Sequence, residues 1–471
     1  MELSNDILVL QDLVRTLLFK IEEQANEITL LKAENVELRN RLNQNSSNSS
    51  MPPSTDKFKA KPAFVKISKG KLGGQLGHQG KTLSISPTPD IIEKLLPSNT
   101  CSCGCDISTI DPVFKERRQV YDLPPAKLIV TEYQQYVRQC PCCQAKVVGA
   151  FPASVNNHVQ YGNGIMALCS LLSNGFHLSI QNISQLFTDL YNQPLNSATV
   201  LTANTRTYES LQSSELVIKE QIMASKVVHF DETGLACEGN THWLHVACNS
   251  LWTYFFVHTN RGAKALETDD SIIKDFKNWS IHDCWASYFA FESCSHAVCN
   301  AHILRELQAL IEQGSQWSKL MHQLLLKMYH LSQKATSHIE NINLSPHLEE
   351  YDRICEAADL EEPPSIKPPK GRPKSTKGRN LFNRLVLHKE SIVAFSKYDF
   401  IPFTNNQAER DIRPAKGKIK VAGCFRTQLG AKHYARIQGF ISTTRKQGQS
   451  VFNQLKMSLQ GNNFICQTAT N

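Results

Sequence analysis

Asp231 and Glu232 close the apolar run "VVHF" in "KVVHFDETGL" (226–235), and Asp283 follows a second strand-like run in "NWSIHDCWASYF" (278–289). Acids at the ends of two neighbouring strands can bridge divalent cations. Phosphodiester chemistry without a covalent enzyme intermediate suits two Mg²⁺ or Mn²⁺ ions roughly 4 Å apart, one activating the attacking oxygen and the other stabilising the leaving oxygen. Mg²⁺ takes oxygen ligands and keeps several waters, so a few carboxylates suffice. Of the adjacent pair, Asp231 is preferred, because it directly follows the apolar run and its shorter side chain fixes an ion more rigidly. Glu232 is left a supporting or turn role. A third acid is expected from a helix after the sheet, and the pattern leaves Glu409, Asp411 and Glu306 as candidates. Glu409 also fits a helix capping box, Asn406-Gln-Ala-Glu409. Cys299 and His302 form a C-x-x-H pair at the end of another strand candidate, where they would shape the same site.

The elements around these residues predict an α/β fold. Three strand candidates joined by short turns ("VVHFDETGL", "THWLHVACNS", "LWTYFFVHT") precede a helix ("AKALETDDSIIKDF"), a fourth strand ending at Asp283, a fifth ("SHAVCNAH") and a helix ("ILRELQALIEQ"). This order, with acids ending the first and fourth strands, is the layout of a ribonuclease-H-like mixed sheet. Residues 226–302 read as the first part of that core, 303–400 as a mostly helical insertion with a basic loop, and 401–460 as the part carrying the third acid and a C-terminal helix. Residues 151–225 read as a helical, DNA-binding or preparatory region in which Ser197 opens the last helix as its cap.

Ahead of these, residues 1–44 carry a heptad. Positions a are Ile7, Val14, Ile21, Ile28, Asn35 and Leu42; positions d are Leu10, Leu17, Gln24, Leu31 and Leu38. β-Branched residues at a with Leu at d favour a parallel two-stranded coiled coil, and Asn at a fixes register, so a homodimer is expected. Residues 45–90 read as a flexible basic linker. Residues 91–150 hold two cysteine knuckles, "CSCGCD" and "CPCC". Cys101 with Cys103 (or Cys105 in its place), and Cys140 with Cys143, make a four-thiolate Zn²⁺ site, a staple for a segment poor in apolar residues.

The net charge of +8 is unevenly placed. Residues 57–81 hold seven lysines and no acid, 366–380 six basic residues and no acid, and 410–446 ten basic residues against Asp411 alone. Such stretches suit a polyanion, most simply double-stranded DNA. Lys69, Lys71 and Lys81 in the first, Arg372 and Lys374 in the second, and Arg410, Arg413, Lys416, Lys418 and Lys420 in the third are the candidate phosphate contacts. "KGRPKS" (370–375) resembles an AT-hook, suited to narrow minor grooves. Glu2 and Asp6 stand where a signal peptide has positive charge, and no apolar run spans a membrane, so a cytoplasmic, nucleoid-associated protein is expected.

"GGQLGHQGKTL", "RRQVYDLPP", "HFDETG", "VHTNRG", "HDCWASY", "CNAHILREL" and "IPFTNNQAERDIRPAK" together resemble the insertion sequence 66 family of DDE-type transposases along nearly the whole chain. The resemblance implies that Asp231, Asp283 and Glu409 are the catalytic triad, with Asn405 and Asn406 beside it. It implies a helical insertion between Asp283 and Glu409, which stand 126 positions apart in sequence, and a zinc-binding domain before the core. It also implies cutting of 3′ ends at the element's terminal inverted repeats and strand transfer into target DNA, with accessory element-encoded proteins as further partners. Two departures stand out. The family's usual C-P-x-C-G knuckle is "CSCGC" here, and Cys284-Trp285 replaces a common Gly-Tyr. The rival readings are a non-catalytic DNA-binding protein derived from a transposase and a ribonuclease-H-like nuclease that cuts without joining.

Overall fold

The computed structural model describes residues 7–45, 48–49, 83–334, 343–362, 364 and 375–462. Lys69, Lys71, Lys81, Arg372 and Lys374 lie outside the described residues. The chain divides into two compact units, one of residues 1–59, 152–187 and 194–471, the other of 60–151 and 188–193. Among the described residues no helix is long and apolar enough to cross a membrane.

The heptad segment is one continuous helix, α1 (Ile7–Asn43). Val14, Leu17, Ile21, Ile28, Leu31 and Leu38 of the a and d positions are exposed along it.

The smaller unit has little regular structure. Strands β1 (Val137–Gln139) and β2 (Lys146–Val148) pair antiparallel around the second cysteine knuckle. The apolar stretch "KLIVTEYQQYVRQ" (127–139) reads as a strand leading into the second knuckle, but only its last three residues form one, β1. Ile129, Val130, Tyr133 and Tyr136 are exposed, so no second layer or partner strand rewards an extended conformation there.

After residue 151 come α2 (Asn163–Ser170), a π-helical turn (Leu171–Gly175), α3 (Ile180–Tyr191), α4 (Ser197–Ser210) and α5 (Gln212–Met223). Asn196 rather than Ser197 caps α4, its side chain accepting the Ala198 N–H at 2.9 Å.

A five-stranded sheet follows: β3 (Val227–Cys237), β4 (Asn240–Cys248), β5 (Thr253–His258), β6 (Trp279–His282) and β7 (Ser295–Val298), in spatial order β5-β4-β3-β6-β7. The first three strands are antiparallel, while β6 and β7 run parallel to β3. The β3–β4 hairpin turns on Glu238 and Gly239, both with positive φ (53° and 74°), as a two-residue turn between right-twisted strands requires. The first and fourth strands are neighbours, as expected, but β3 does not end at its acids. It runs on to Cys237 because β4 pairs with it throughout, from His229↔Cys248 to Cys237↔Asn240, whereas β6 pairs only with Val227, Val228 and His229.

The helix expected over "AKALETDDSIIKDF" shrinks to α6 (Ala263–Leu266). Thr268 donates its hydroxyl to the Ala265 carbonyl at 2.8 Å, and Asp269, Asp270 and Ser271 follow, a run of short polar side chains that compete with helical bonding. Ile272, Ile273 and Phe276 beyond it are buried on the sheet.

Between β7 and α12, where a helical insertion over 303–400 is expected, lie α7 (Asn300–Ile311), α8 (Gln316–Lys334), α9 (Ser345–Glu361), α10 (Lys377–Leu387) and α11 (Lys389–Lys397). These helices share one core with Ile281, Ala297 and Val298 of β6 and β7, around Trp317, Tyr351 and Leu385. The chain returns through α12 (Asn406–Ala422), α13 (Gln428–Lys446) and α14 (Val451–Ser458). Helix α13 lies so close on β5 that a Cβ at Gly439 would sit 3.1 Å from the Thr253 carbonyl oxygen.

Candidate active site

Strand periodicity sorts the acids of β3. Val228 and Phe230 face a core with Ile273, Phe276 and Tyr288, while Leu235 and Cys237 face Ala408, Ile412 and Ala415 of α12. Alternate side chains point to opposite faces, so Asp231 shares the α12 face and Glu232 the other. Alternation thus puts Asp231, and not Glu232, on the face that carries α12. Glu232 is almost fully buried and has structural partners: Arg261 Nη2 lies 2.7 Å from its Oε1, and the Tyr288 hydroxyl donates to its Oε2 at 2.5 Å. Arg261 itself lies against the rings of Trp243 and Trp285.

Asp283 follows the last residue of β6, and its Oδ1 accepts the Trp285 N–H at 3.2 Å. Asp231 Oδ1 accepts the Glu232 N–H at 2.8 Å. Burial, then the neighbouring Glu232 charge, pushes the Asp231 carboxyl up to about 8, with Asp283 and Glu409 adding to the repulsion. Burial and Glu232 push Asp283 up to about 6, while Arg261 and Arg384 hold it back. The three acids therefore share one electrostatic neighbourhood in which negative charge is crowded, the situation a bound cation relieves.

The rivals for the third position are engaged elsewhere. Asp411 Oδ2 lies 2.6 Å from Lys446 Nζ and accepts from the Gln407 amide at 3.1 Å. Glu306 makes a two-pronged pair with Arg384. Glu409 does not close a capping box, since Asn405 precedes α12 and no side-chain cap bond is made there. Glu409 Oε1 is buried without a hydrogen-bond partner among the described residues and lies 3.9 Å from His302 Nε2. Burial, aided by Arg305, pushes the His302 imidazole down to about 4, so at neutral pH it is uncharged and no counter-ion to Glu409.

Asn405 is buried and binds three ways. Its side-chain amide donates to the Phe230 carbonyl at 2.7 Å, its Oδ1 lies 2.8 Å from His229 Nδ1, and its backbone N–H donates to Cys299 Sγ at 3.1 Å. Cys299 and Asn405 thus tie the start of α7 and the start of α12 to β3. Asn406 is exposed beside them. Sequence reasoning assigned no role to Arg261, Tyr288 or His229. Arg261 lay inside the "VHTNRG" motif, which was the available signal.

On α12, Arg410, Arg413, Lys416 and Lys420 are exposed, at spacings that keep them close to one face. Lys418 is not among them. It is half-buried, its ammonium donates to the Ser173 carbonyl at 2.8 Å, and burial lowers its pKa.

In the smaller unit each knuckle is a tight turn closed by backbone hydrogen bonds, with Cys101, Cys103, Cys105, Cys142 and Cys143 exposed and Cys140 partly buried. The Gly104 N–H donates to the Cys101 carbonyl and the Gln144 N–H to the Cys140 carbonyl, each at 2.9 Å. Backbone N–H from Cys103, and then its side chain, lower the Cys101 thiol; backbone N–H from Cys143 and Cys142 do the same for Cys140. Such bonds favour thiolates and suit a Zn²⁺ ligand set. Cys105 turns away, its thiol pointing at the Asp106 carbonyl at 3.7 Å.

Residues 158–433 match the Transposase IS66 family, and residues 98–144 match the zinc-finger binding domain of transposase IS66. Residues 6–84 match a family of unknown function. No curated protein matches the chain. The transposase match covers more than half of the 471 residues and includes all three acids. With the zinc-finger domain preceding the transposase segment in the same order as the resemblance implied, the chain belongs to the IS66 family of transposases.

Proposed function

We propose that the protein is a DDE transposase that cuts the 3′ ends of its element at terminal inverted repeats and joins them to target DNA, using Asp231, Asp283 and Glu409. The observation that carries this reading is the contrast among the acids. Asp411, Glu306 and Glu232 each have a basic partner, while Asp231 is buried within reach of the negative charges of Glu232, Asp283 and Glu409, and Glu409 Oε1 is buried without a hydrogen-bond partner among the described residues. The sheet order β5-β4-β3-β6-β7, with β4 antiparallel to β3 and β6 parallel to it, supports a ribonuclease-H-like core.

The oxygen-only donor set fits two Mg²⁺ or Mn²⁺ ions. When bound, such ions activate the attacking oxygen and stabilise the leaving one. The protein's own part is positional. Asp231 and Asp283 are fixed by adjacent strands, and Glu409 by the first turn of α12. Asn405 and Cys299 hold that turn against β3, and Glu232 with Arg261 braces the opposite face.

Cys101, Cys103, Cys140 and Cys143 are the proposed Zn²⁺ ligands, with Cys103 favoured over Cys105 by its contact with Cys101. The exposed row Arg410, Arg413, Lys416 and Lys420 would hold phosphates next to the acids, and the exposed seam of α1 would pair two copies as a parallel coiled coil.

The decisive experiment is strand transfer of a pre-cut inverted-repeat end in Mg²⁺. Wild type should join the end to a target, and Asp231→Asn should bind the same DNA but join none. Transfer that survives this change would sink the assignment. Cutting without joining by wild type would favour a nuclease, and binding with neither activity in any metal a DNA-binding derivative.

A further inference from the structure

Cys299 immediately precedes α7, and His302 lies in that helix's first turn. Glu409 lies near the start of α12. Their sulfur, nitrogen and oxygen ligand atoms all lie within 4.8 Å of one another, the one such group of three found among the described residues. Cys299 is fully buried, and Glu409 Oε1, also buried, has no hydrogen-bond partner there. A buried carboxylate oxygen without a partner is costly unless a ligand takes it.

The surroundings of the sulfur point the same way. Cys299 Sγ accepts the Asn405 N–H at 3.1 Å, and the N–H groups of Ala301 and His302 are directed at it from the start of α7. Burial outweighs these bonds and pushes the free thiol up to about 11, so the sulfur keeps its proton until a metal displaces it. A donor set of sulfur, imidazole nitrogen and carboxylate oxygen suits tetrahedral Zn²⁺ with one open position. It is wrong for Mg²⁺, which demands oxygen.

We propose that Cys299, His302 and Glu409 form a separate Zn²⁺ site that shares Glu409 with the carboxylate centre. Sharing rests on the catalytic reading of Glu409 given above; the site itself does not. On binding, the Cys299 thiol proton passes to solvent as the zinc–sulfur bond forms, and His302 and Glu409 each donate a lone pair. A carboxylate held by thiolate-bound zinc is drawn away from Asp231 and Asp283. Zinc at this position therefore opposes Mg²⁺-dependent transfer.

The test uses the full chain and Co²⁺ as a spectroscopic probe. The knuckle thiols of residues 101–143 also take cobalt, so the measurement is a difference between wild type, Cys299→Ser and His302→Gln. Wild type should bind one more equivalent of Co²⁺ than either variant and carry a thiolate-to-cobalt charge-transfer component that both lose. Zn²⁺ should displace that component, and excess Mg²⁺ should not. Equal stoichiometry and equal absorbance in wild type and the variants would overturn the proposal. His302 is partly exposed, so His302→Gln keeps the comparison valid should the buried Cys299→Ser fail to fold. Asp231→Asn should retain the cobalt component while losing transfer, which separates failure of this site from failure of the catalytic reading. Added Zn²⁺ should slow wild-type transfer at least about tenfold. His302→Gln should be no more inhibited than its own zinc-free rate; inhibition equal to that of wild type would overturn the sharing of Glu409.

Discussion

Arg261 closes over Glu232, its Nη2 2.7 Å from Oε1, on the face of β3 opposite Asp231. The carboxylate is almost wholly buried, and the guanidinium is nearly half exposed against Trp243 and Trp285. The pair bears on the acids in opposite senses. Glu232 raises both Asp231 and Asp283, and Arg261 restrains Asp283.

Removing Arg261 should strand a buried negative charge beside two others. Arg261→Ala is expected to cost about 1–3 kcal/mol in denaturant unfolding, and the double variant Arg261→Ala/Glu232→Gln should recover much of that. Additive losses in the double-mutant cycle would show that the two side chains do not act as a pair.

Metal-free stability should depend on pH through Asp231. Its folded-state pKa of about 8 lies above the ordinary carboxylate value, so the folded protein keeps a proton that the unfolded chain releases. The resulting stabilisation is present in acid and is lost as pH rises toward about 8. Asp231→Asn should flatten this fall, and the gain in Tm on adding Mg²⁺ should grow from pH 6 to pH 8 as the metal replaces the proton. A wild-type curve parallel to that of Asp231→Asn across this range would refute the assigned environment.

Acids of the same neighbourhood should separate by phenotype. Glu409→Gln should lose at least about 100-fold in strand transfer with little change in unfolding. Asp411→Ala breaks a buried pair with Lys446 and should cost about 3 kcal/mol while the remaining folded protein still transfers. The reverse pattern, a silent Glu409→Gln and an inactive but stable Asp411→Ala, would move the third ligand to Asp411.

Arg413→Ala and Lys416→Ala should each weaken DNA binding regardless of sequence and lower the slope of log affinity against log salt by about 0.9. Lys418→Ala should leave the slope alone and cost about 1 kcal/mol of stability, because its ammonium serves the Ser173 carbonyl. An equal loss of slope for Lys418 would place it on the DNA face after all.

Removing residues 1–44 should halve the oligomeric mass seen by light scattering, since the exposed a and d residues of α1 leave with them. An unchanged mass would assign self-association to another surface.

The strands, their turns and the neighbouring placement of β3 and β6 were legible because apolar alternation and the Glu238-Gly239 turn are local signals. The third acid was not. Glu409, Asp411 and Glu306 differ in what approaches them from distant segments: Lys446 for Asp411, Arg384 for Glu306, and, among the described residues, no Lys or Arg ion pair but the His302 imidazole for Glu409. Pattern within α12 cannot report a partner 35 residues away in sequence. Lys418 is a case of the same kind, since a lysine's spacing does not reveal that its head turns inward to a carbonyl. The helix at 263–276 failed differently: "ETDDS" offers the backbone side-chain partners that end a helix early, a local cue outweighed by the apolar spacing around it.

The ladder between β3 and β6 stops at His229, one residue short of Phe230, and the Asn405 amide takes the Phe230 carbonyl in place of a further rung. Asn300 N–H to the Phe403 carbonyl, at 3.0 Å, fastens the same return point from the exit side. Departure and re-entry of the long detour are therefore clasped together at the sheet. Closing a loop grows costlier only slowly with length, by about 0.6 kcal/mol per doubling. A change in the length of the detour should consequently cost little in closure and leave Glu409 in place just beyond the clasp.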